Sequence, residues 1–458
     1  MKKIAFIVSG YKTPLFFKIA KHIEEKHHIE SLWISPNKEW ADWLINQGSK
    51  EENILDISKY WNKTTGSVSG REILATIEKT LPYSISTIIK IDRNLKSKPQ
   101  EYATKYLEVV AEKTYSFLHG QNVTKIFSEQ TWAFDIIPAY IAESLGAESL
   151  VPHTVRFPSD HFGFFKGALH EKILKTNNNK NTSSHAKDLL EEFRTKDIKP
   201  FYFSGNNKLP KLKLDYIKKA IKHINWSNDE TKNTTSKLIS MRIQEVVNSI
   251  SIKKEISAWH TEPSASKYVL LTLHKQPEAS VDLLDHYNSQ QLELAINIAN
   301  SLPMHYKLMI KEHSNAIGDR GLKWFQELKK IHNIQLVNPY IPVRPFIEKS
   351  EVVISVSGTV CLETGILGKK AICTANVFFK DILALSDCSI KEIAKHAKNE
   401  FSDINPPSEE MILKYLNNTL SDSFKGVISD VKSIPSIVEE PNISNVVAGF
   451  EYVIMQNV

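Results

Sequence analysis

The chain has little cysteine and no apolar run long enough to cross a bilayer. Its three cysteines, Cys361, Cys373 and Cys388, show neither CxxC spacing nor a Cys/His zinc pattern. A disulfide framework and a structural zinc finger are therefore excluded, and the three read as reduced packing residues. No stretch approaches the ~20 apolar residues of a membrane-spanning helix. The opening MKKIAFIVSGYKTPLFF is interrupted at Gly10, Tyr11 and Lys12, so it reads as a first β-strand, Ile4 to Ser9, ending in a glycine turn rather than as a secretory leader. GxxxxGK[ST] and GxGxxG are absent as well, which argues against P-loop and dinucleotide enzymes.

What is present is an ordinary globular composition, 41% hydrophobic and 24% charged, which argues against extensive disorder. At 458 residues the chain exceeds what one core usually organises, so two domains with a ligand cleft between them are expected. The net charge of +6 comes mostly from lysine. It is a mild bias toward phosphates, anionic sugars or the inner leaflet of a membrane, and it does not by itself predict nucleic-acid binding.

Strand-like and helix-like segments alternate through the first half: KIAFIVS then LFFKIAKHIEEK, IESLWIS then EWADWLINQG, VTKIFSE then FDIIPAYIAESLG, and ESLVPHT. That alternation is the signature of a parallel sheet flanked by helices. A second alternation starts at KYVLLTLHKQPEAS and yields five strand candidates in about 110 residues, enough for a doubly wound domain. The expected division is an N-terminal Rossmann-like domain over 1–175 and a polar loop, helical insertion and linker over 176–262. A C-terminal Rossmann-like domain over 263–404 follows, with helices over 405–458 packing back on the N-terminal domain. The fold class is thus α/β, two Rossmann-like doubly wound domains facing a central cleft, the arrangement called GT-B.

In open α/β sheets ligands lie beyond the carboxyl ends of the strands, which selects three clusters in the second half. SVSGT, residues Ser355 to Thr359, opens a helix and offers backbone N–H groups, Ser355, Ser357 and Thr359 hydroxyls and a positive helix end to a phosphate. The same residues read equally as a plain cap, with Thr359 capping and Glu363 in the first turn. KEHS places Lys311, Glu312, His313 and Ser314 at a strand end; alternation puts Lys311 and His313 on one face and Glu312 on the other. A surface charge pair is the competing reading. LTLHKQPEAS places His274, Gln276 and Glu278 after the first strand of the second domain, where a lone histidine is as often structural as functional.

YVLLTLHKQPEAS, LMIKEHS and NPYIPVRPFIEKSEVVISVSGTVCLETGILGKKAIC together resemble the capsule polysaccharide biosynthesis family of bacterial glycosyltransferases, related to retaining β-Kdo transferases that use CMP-activated ulosonic acids. The resemblance covers the C-terminal domain well and the N-terminal half loosely. Bacterial sialyltransferases, more distant in architecture, carry a His-Pro dipeptide where this chain has His313-Ser314. In the first half KIFSEQTWAFD resembles the family's strand-end acidic position, at Glu129, and VPHTVRFPSDHFGFF its Arg-x-Pro segment, at Arg156 and Pro158 with Asp160 beyond.

What the resemblance implies is a metal-independent transfer of an ulosonic acid, Kdo or a nonulosonic acid such as pseudaminic or sialic acid, from a CMP donor to a glycan or lipid-linked glycan acceptor. Absence of any Asp-x-Asp fits that expectation of no cofactor and no metal. Ser355, Ser357, Gly358, Thr359, Glu363, Lys311, Glu312, His313 and Ser314 would serve the nucleotide, and His274, Gln276 and Glu278 the donor sugar. Arg156 is suited to a carboxylate, and either Glu129 or Asp160 to base or nucleophile chemistry; both also read as a strand-end ion pair and a turn residue. The lysine-rich PKLKLDYIKKAIKHINW is a solvated helix face or a contact with anionic lipid. The implied place is the cytoplasm, with peripheral contact at the inner membrane. Other readings are a UDP-, GDP- or TDP-sugar transferase, a nucleotide-sugar epimerase of the same architecture, or a non-catalytic glycan-binding subunit.

Overall fold

In the computed structural model the apolar runs KIAFI, ESLWIS and VTKIF become parallel strands buried on both faces, as runs without polar alternation must be. The structure describes residues 2–178, 182–196, 230–231 and 235–456. The lysine-rich run PKLKLDYIKKAIKHINW lies outside them. Two compact units result, one holding 2–178, 230–231 and 419–456, the other 182–196 and 235–418.

The first unit carries β1 (Lys3–Ile7), β2 (Glu30–Ser35), β3 (Ile54–Asp56), β4 (Val123–Phe127), β5 (Glu148–Thr154), β6 (His161–Lys166) and β7 (Lys172–Ile173). β1 is central and parallel to β2 and β4; β3 and β5 extend the parallel sheet on either side. Beyond β5 the sheet turns antiparallel, because the segment HFGFFK folds back as β6 with Phe162 opposite Thr154 and Phe165 opposite Val151. The helix Thr13–His27 covers β1 with Leu15, Phe16, Ile19, Ala20 and Ile23, an i, i+1, i+4, i+5, i+8 stripe of buried residues.

The second unit is a five-stranded, wholly parallel sheet: β8 (Tyr268–Thr272), β9 (Lys307–Lys311), β10 (Ile334–Val337), β11 (Val352–Ser355) and β12 (Ala371–Cys373). Its order is β10-β9-β8-β11-β12. All five strands match the segments read from the sequence, and the α/β class with doubly wound parallel sheets is confirmed. The helix Thr235–Ile256 belongs to this unit, where Asn248 Nδ2 donates to the Gly318 carbonyl at 2.9 Å. Cys361, Cys373 and Cys388 are buried and form no disulfide.

After the helix Glu409–Ser421 the chain returns to the first unit. Asp422 accepts from the Thr176 and Asn177 N–H groups at 2.9 and 3.0 Å, β13 (Phe424–Lys425) adds to β6, and the final helix Asn442–Met455 closes the core. Phe450 of that helix is fully buried, its ring 4.9 Å from those of both Phe127 and Phe164. The Phe450→Ala variant is expected to lose about 3–5 kcal/mol by leaving a cavity among these rings. Urea unfolding of the full chain checks it, and an unchanged midpoint would show that the final helix does not hold the core.

Candidate functional site

In the second unit the chain leaves β8 for β9 and β10 on one side, then returns to place β11 on the other side of β8. The strand order therefore reverses between β8 and β11, where an open α/β sheet leaves a crevice at its carboxyl edge. Thr272 ends β8 and Ser355 ends β11, and both are buried. Thr272 Oγ1 and Ser355 Oγ are 3.1 Å apart, Ser355 Oγ is 3.2 Å from the Thr272 carbonyl, and His274 Nε2 lies 3.0 Å from Ser355 Oγ. The Ser357 N–H donates to His274 Nε2 at 3.4 Å. A nitrogen that accepts from N–H carries no proton, so the neutral ring bears its hydrogen on Nδ1.

The serine turn is shaped by this contact. Ser357 Oγ donates to the Ser280 carbonyl at 2.5 Å. Gly358 has no room for a side chain: a Cβ there would lie 2.6 Å from Ser355 Oγ and 3.5 Å from His274 Cε1. Gly358 is itself the N-cap of the helix Thr359–Ile366, with no side-chain capping bond. That corrects the expectation that Thr359 caps; it is the first helical residue, and Glu363 falls in the second turn. The helix start thus presents main-chain N–H groups beside two serines, an arrangement suited to an oxyanion.

The main chain of His274 is clamped from both sides. Its N–H donates to Gln291 Oε1 at 2.7 Å, and its carbonyl accepts from Gln291 Nε2 at 3.1 Å and from Arg320 Nη2 at 2.7 Å. Arg320 Nη1 donates to Glu312 Oε2 at 2.6 Å, and Glu312 Oε1 accepts the His313 N–H at 2.8 Å. Burial pushes the Glu312 carboxyl up, offset in part by Arg320 and the His313 N–H. Gln291 and Arg320 were not among the residues read from the sequence. Neither follows a strand directly, and neither has a motif signal.

The other sequence candidates are placed as follows. Lys311 does not share an outward face with His313: its ammonium is buried and donates to the carbonyls of Pro339 at 2.9 Å and Asn338 at 3.3 Å. Desolvation lowers its pKa to about 8. The strand ends at Lys311, so alternation no longer governs the residues after it. His313 is exposed and accepts from the Asn315 N–H at 3.2 Å, with Ser314 starting a short 3-10 turn beside it. Gln276 braces its own loop, donating to Asp282 Oδ1 at 2.8 Å and the Ser289 carbonyl at 2.9 Å while its Oε1 accepts from Gln291. Glu278 is exposed, and its N–H donates to Asp282.

The first unit repeats the logic. Its order reverses between β1 and β4, and there Lys12, after β1, pairs with Glu129, after β4. Arg156 follows β5 with a left-handed backbone, φ 68, its N–H donating to Thr154 Oγ1 at 3.1 Å. Arg156 and Lys12 both lie close enough to act electrostatically on His153 and His170, two histidines not singled out from the sequence. Behind Glu129 sits buried Asp135, its carboxyl pushed well up first by desolvation and then by Glu129. Asp160 is turned elsewhere, its exposed carboxylate accepting from His161 Nδ1 at 2.9 Å. Among the described residues no group of three or more His, Cys, Asp or Glu is arranged to hold a metal ion.

No family model matches the chain, and no curated protein does. Solved structures that match include the β-Kdo 2,7 transferase of Thermosulfurimonas dismutans KpsC, at 9% identity over 73% of this chain and 89% of that one, TM-score 0.35. Another is the UDP-GlcNAc 2-epimerase of Neisseria meningitidis bound to UDP-GlcNAc, at 14% identity over 99% and 100%, TM-score 0.23. The S. aureus MnaA-UDP structure is 12% identical over 92% of each chain, TM-score 0.25. Likeness at this level bears on neither substrate nor reaction.

Two variants test the site's construction. Gly358→Ala is expected to push Ser355 and His274 apart, read as a changed imidazole NMR signal for His274 in a folded protein; an unchanged signal would show that the contact is not tight. Arg320→Met leaves the Glu312 carboxyl buried and unpaired and is expected to destabilise the protein by about 3–5 kcal/mol, checked by denaturant titration. A loss within 1 kcal/mol, on the order of a surface pair, would refute the clamp.

Proposed function

We propose that the chain is a glycosyltransferase of bacterial surface polysaccharide synthesis that takes an ulosonic acid from a CMP-activated donor and passes it to a glycan acceptor. The observation that carries the reading is the His274–Ser355–Ser357 contact at the β8/β11 reversal, an oxyanion seat where a nucleotide phosphate is expected in such a sheet. Gly358 and Thr359, at the start of the helix, hold the phosphate through main-chain N–H groups. His313 and Ser314, at the end of the neighbouring strand, meet the nucleoside side, and Glu278 faces the sugar. Glu129 and Arg156 serve the acceptor side, Glu129 as the base toward the acceptor hydroxyl. The reaction in this reading needs no metal, and the lysine-rich run meets anionic lipid carriers at the inner membrane surface. No described helix is long and apolar enough to cross a membrane.

The test is a thermal-shift panel of CMP, CDP, UDP, GDP and TDP with the full chain. A ligand at ~100 times its Kd stabilises the native state by roughly 2.7 kcal/mol. A shift with CMP that is lost in Ser357→Ala supports the CMP donor, whereas a shift only with UDP, GDP or TDP replaces it. No shift with any nucleotide overturns the reading. Donor turnover then separates the reaction classes: isomerisation of a donor without acceptor would make the chain an epimerase.

A further inference from the structure

The polar cluster of the first unit contains more than an acceptor base needs. Lys12 comes from the turn after β1, Glu129 from the end of β4, His153 and Arg156 from the end of β5, and His170 from the loop between β6 and β7. The two imidazoles face each other with centroids 5.3 Å apart at 44°, and Phe165 packs against both, 6.1 Å from His153 and 5.9 Å from His170. His153 Nδ1 lies 2.9 Å from the Thr154 carbonyl. A carbonyl only accepts, so the hydrogen is on Nδ1 and Nε2 is left as an acceptor.

His170 is tied to the Glu129 main-chain carbonyl, and its Nε2 is buried without a hydrogen-bond partner among the described residues. A buried polar atom left in that state calls for an explanation in function. The cluster's charges supply one. The Lys12 ammonium pairs with Glu129, and Arg156 lies close enough to act on both rings.

We propose that Lys12, Arg156, His153 and His170 form an oxyanion subsite of the first unit, which binds the carboxylate or phosphate of a hydroxylated sugar ligand. It is a second ligand site, independent of the nucleotide seat, and rests on the reading above only for its place on the acceptor side. Arg156 supplies the fork that matches either oxyanion, and the imidazole nitrogens meet the ligand's hydroxyls or, once protonated, the anion itself.

The electrostatics give the site a signature. His153 is held well below the ordinary imidazole range by burial, then by His170, Arg156 and Lys12. His170 is pushed down to about 4 by burial and Arg156, with Lys12 adding to this and the Glu129 carbonyl opposing it. Both rings are therefore neutral in the empty site at neutral pH. An entering anion offsets the field of Arg156 and Lys12 and favours the imidazolium. The bound state then holds more protons than the free state, so affinity rises as pH falls toward the free-state values.

The experiment is isothermal titration of the full chain, without nucleotide, using glucuronate, glucose 6-phosphate and glucose in two buffers of different ionisation enthalpy. The expected result is binding of at least one anion but not of glucose, with net proton uptake. Glucuronate, whose charge is constant over the range, is expected to bind roughly three- to tenfold more tightly at pH 5.5 than at pH 7.5; if only glucose 6-phosphate binds, the oxyanion is a phosphate. Arg156→Gln is expected to abolish binding, and His170→Gln to keep binding but flatten the pH dependence. Glucose binding as well as the anions, or an Arg156→Gln protein of native circular dichroism binding them undiminished, would overturn the proposal. Nucleotide binding by the second unit is a separate readout, so failure here leaves that reading standing and the converse also holds.

Discussion

Arg320 is buried between a carboxylate and a carbonyl, and the second unit's site depends on that position. Its guanidinium joins Glu312, after β9, to the main chain of His274, after β8. A buried ion pair is weak evidence of stability, since desolvation of two charges offsets their attraction. What this pair provides is position. Above the sheet the two loops are joined by this guanidinium and by Lys275 Nζ, which donates to the Asn315 carbonyl at 3.3 Å, and the guanidinium's bond to the His274 carbonyl helps to set where the imidazole stands relative to Ser355. Gln291 completes the restraint by taking both the N–H and the carbonyl of the same residue.

The two units apply one topological rule with different chemistry. Each sheet reverses strand order beside its first strand, and each gathers polar residues at the carboxyl edge of that reversal. In the second unit the residues there are hydroxyls, main-chain N–H groups and a neutral imidazole, which suit a ligand carrying its own charge into the site. In the first they are an ion pair, a guanidinium and two imidazoles, which supply charge of their own. The antiparallel turn of the first sheet at β6 makes this possible, because it brings the loop holding His170 back beside the strand holding His153.

Much of the fold was legible because parallel strands buried on both faces must be continuous apolar runs. YVLLT, KLMIK, VVIS and KIAFI leave no other reading with helices on either side. The strand His161–Lys166 was not legible, since HFGFFK was assigned no element from the sequence and its pairing depends on the antiparallel return to β5. In the candidate site, Ser355 was singled out because it ends a strand, and Ser357, Gly358 and His274 because they lie just beyond one. Arg320 and Gln291 were not, because they act from a turn and a helix on a backbone carbonyl and N–H that no side-chain pattern encodes. Lys311 shows the opposite failure: its strand-end place is right, but its ammonium turns inward to carbonyls of the next strand's loop.

His274 itself is better understood as a builder of the serine turn than as an acid. Its Nε2 lies 3.0 Å from Ser355 Oγ and accepts from the Ser357 N–H. The imidazole thus meets Ser355 and Ser357, and the missing side chain of Gly358 lets the start of the following helix pack beside it. A turn braced in this way would suit an anion, because main-chain N–H groups set in place beforehand need no reorganisation when a ligand arrives.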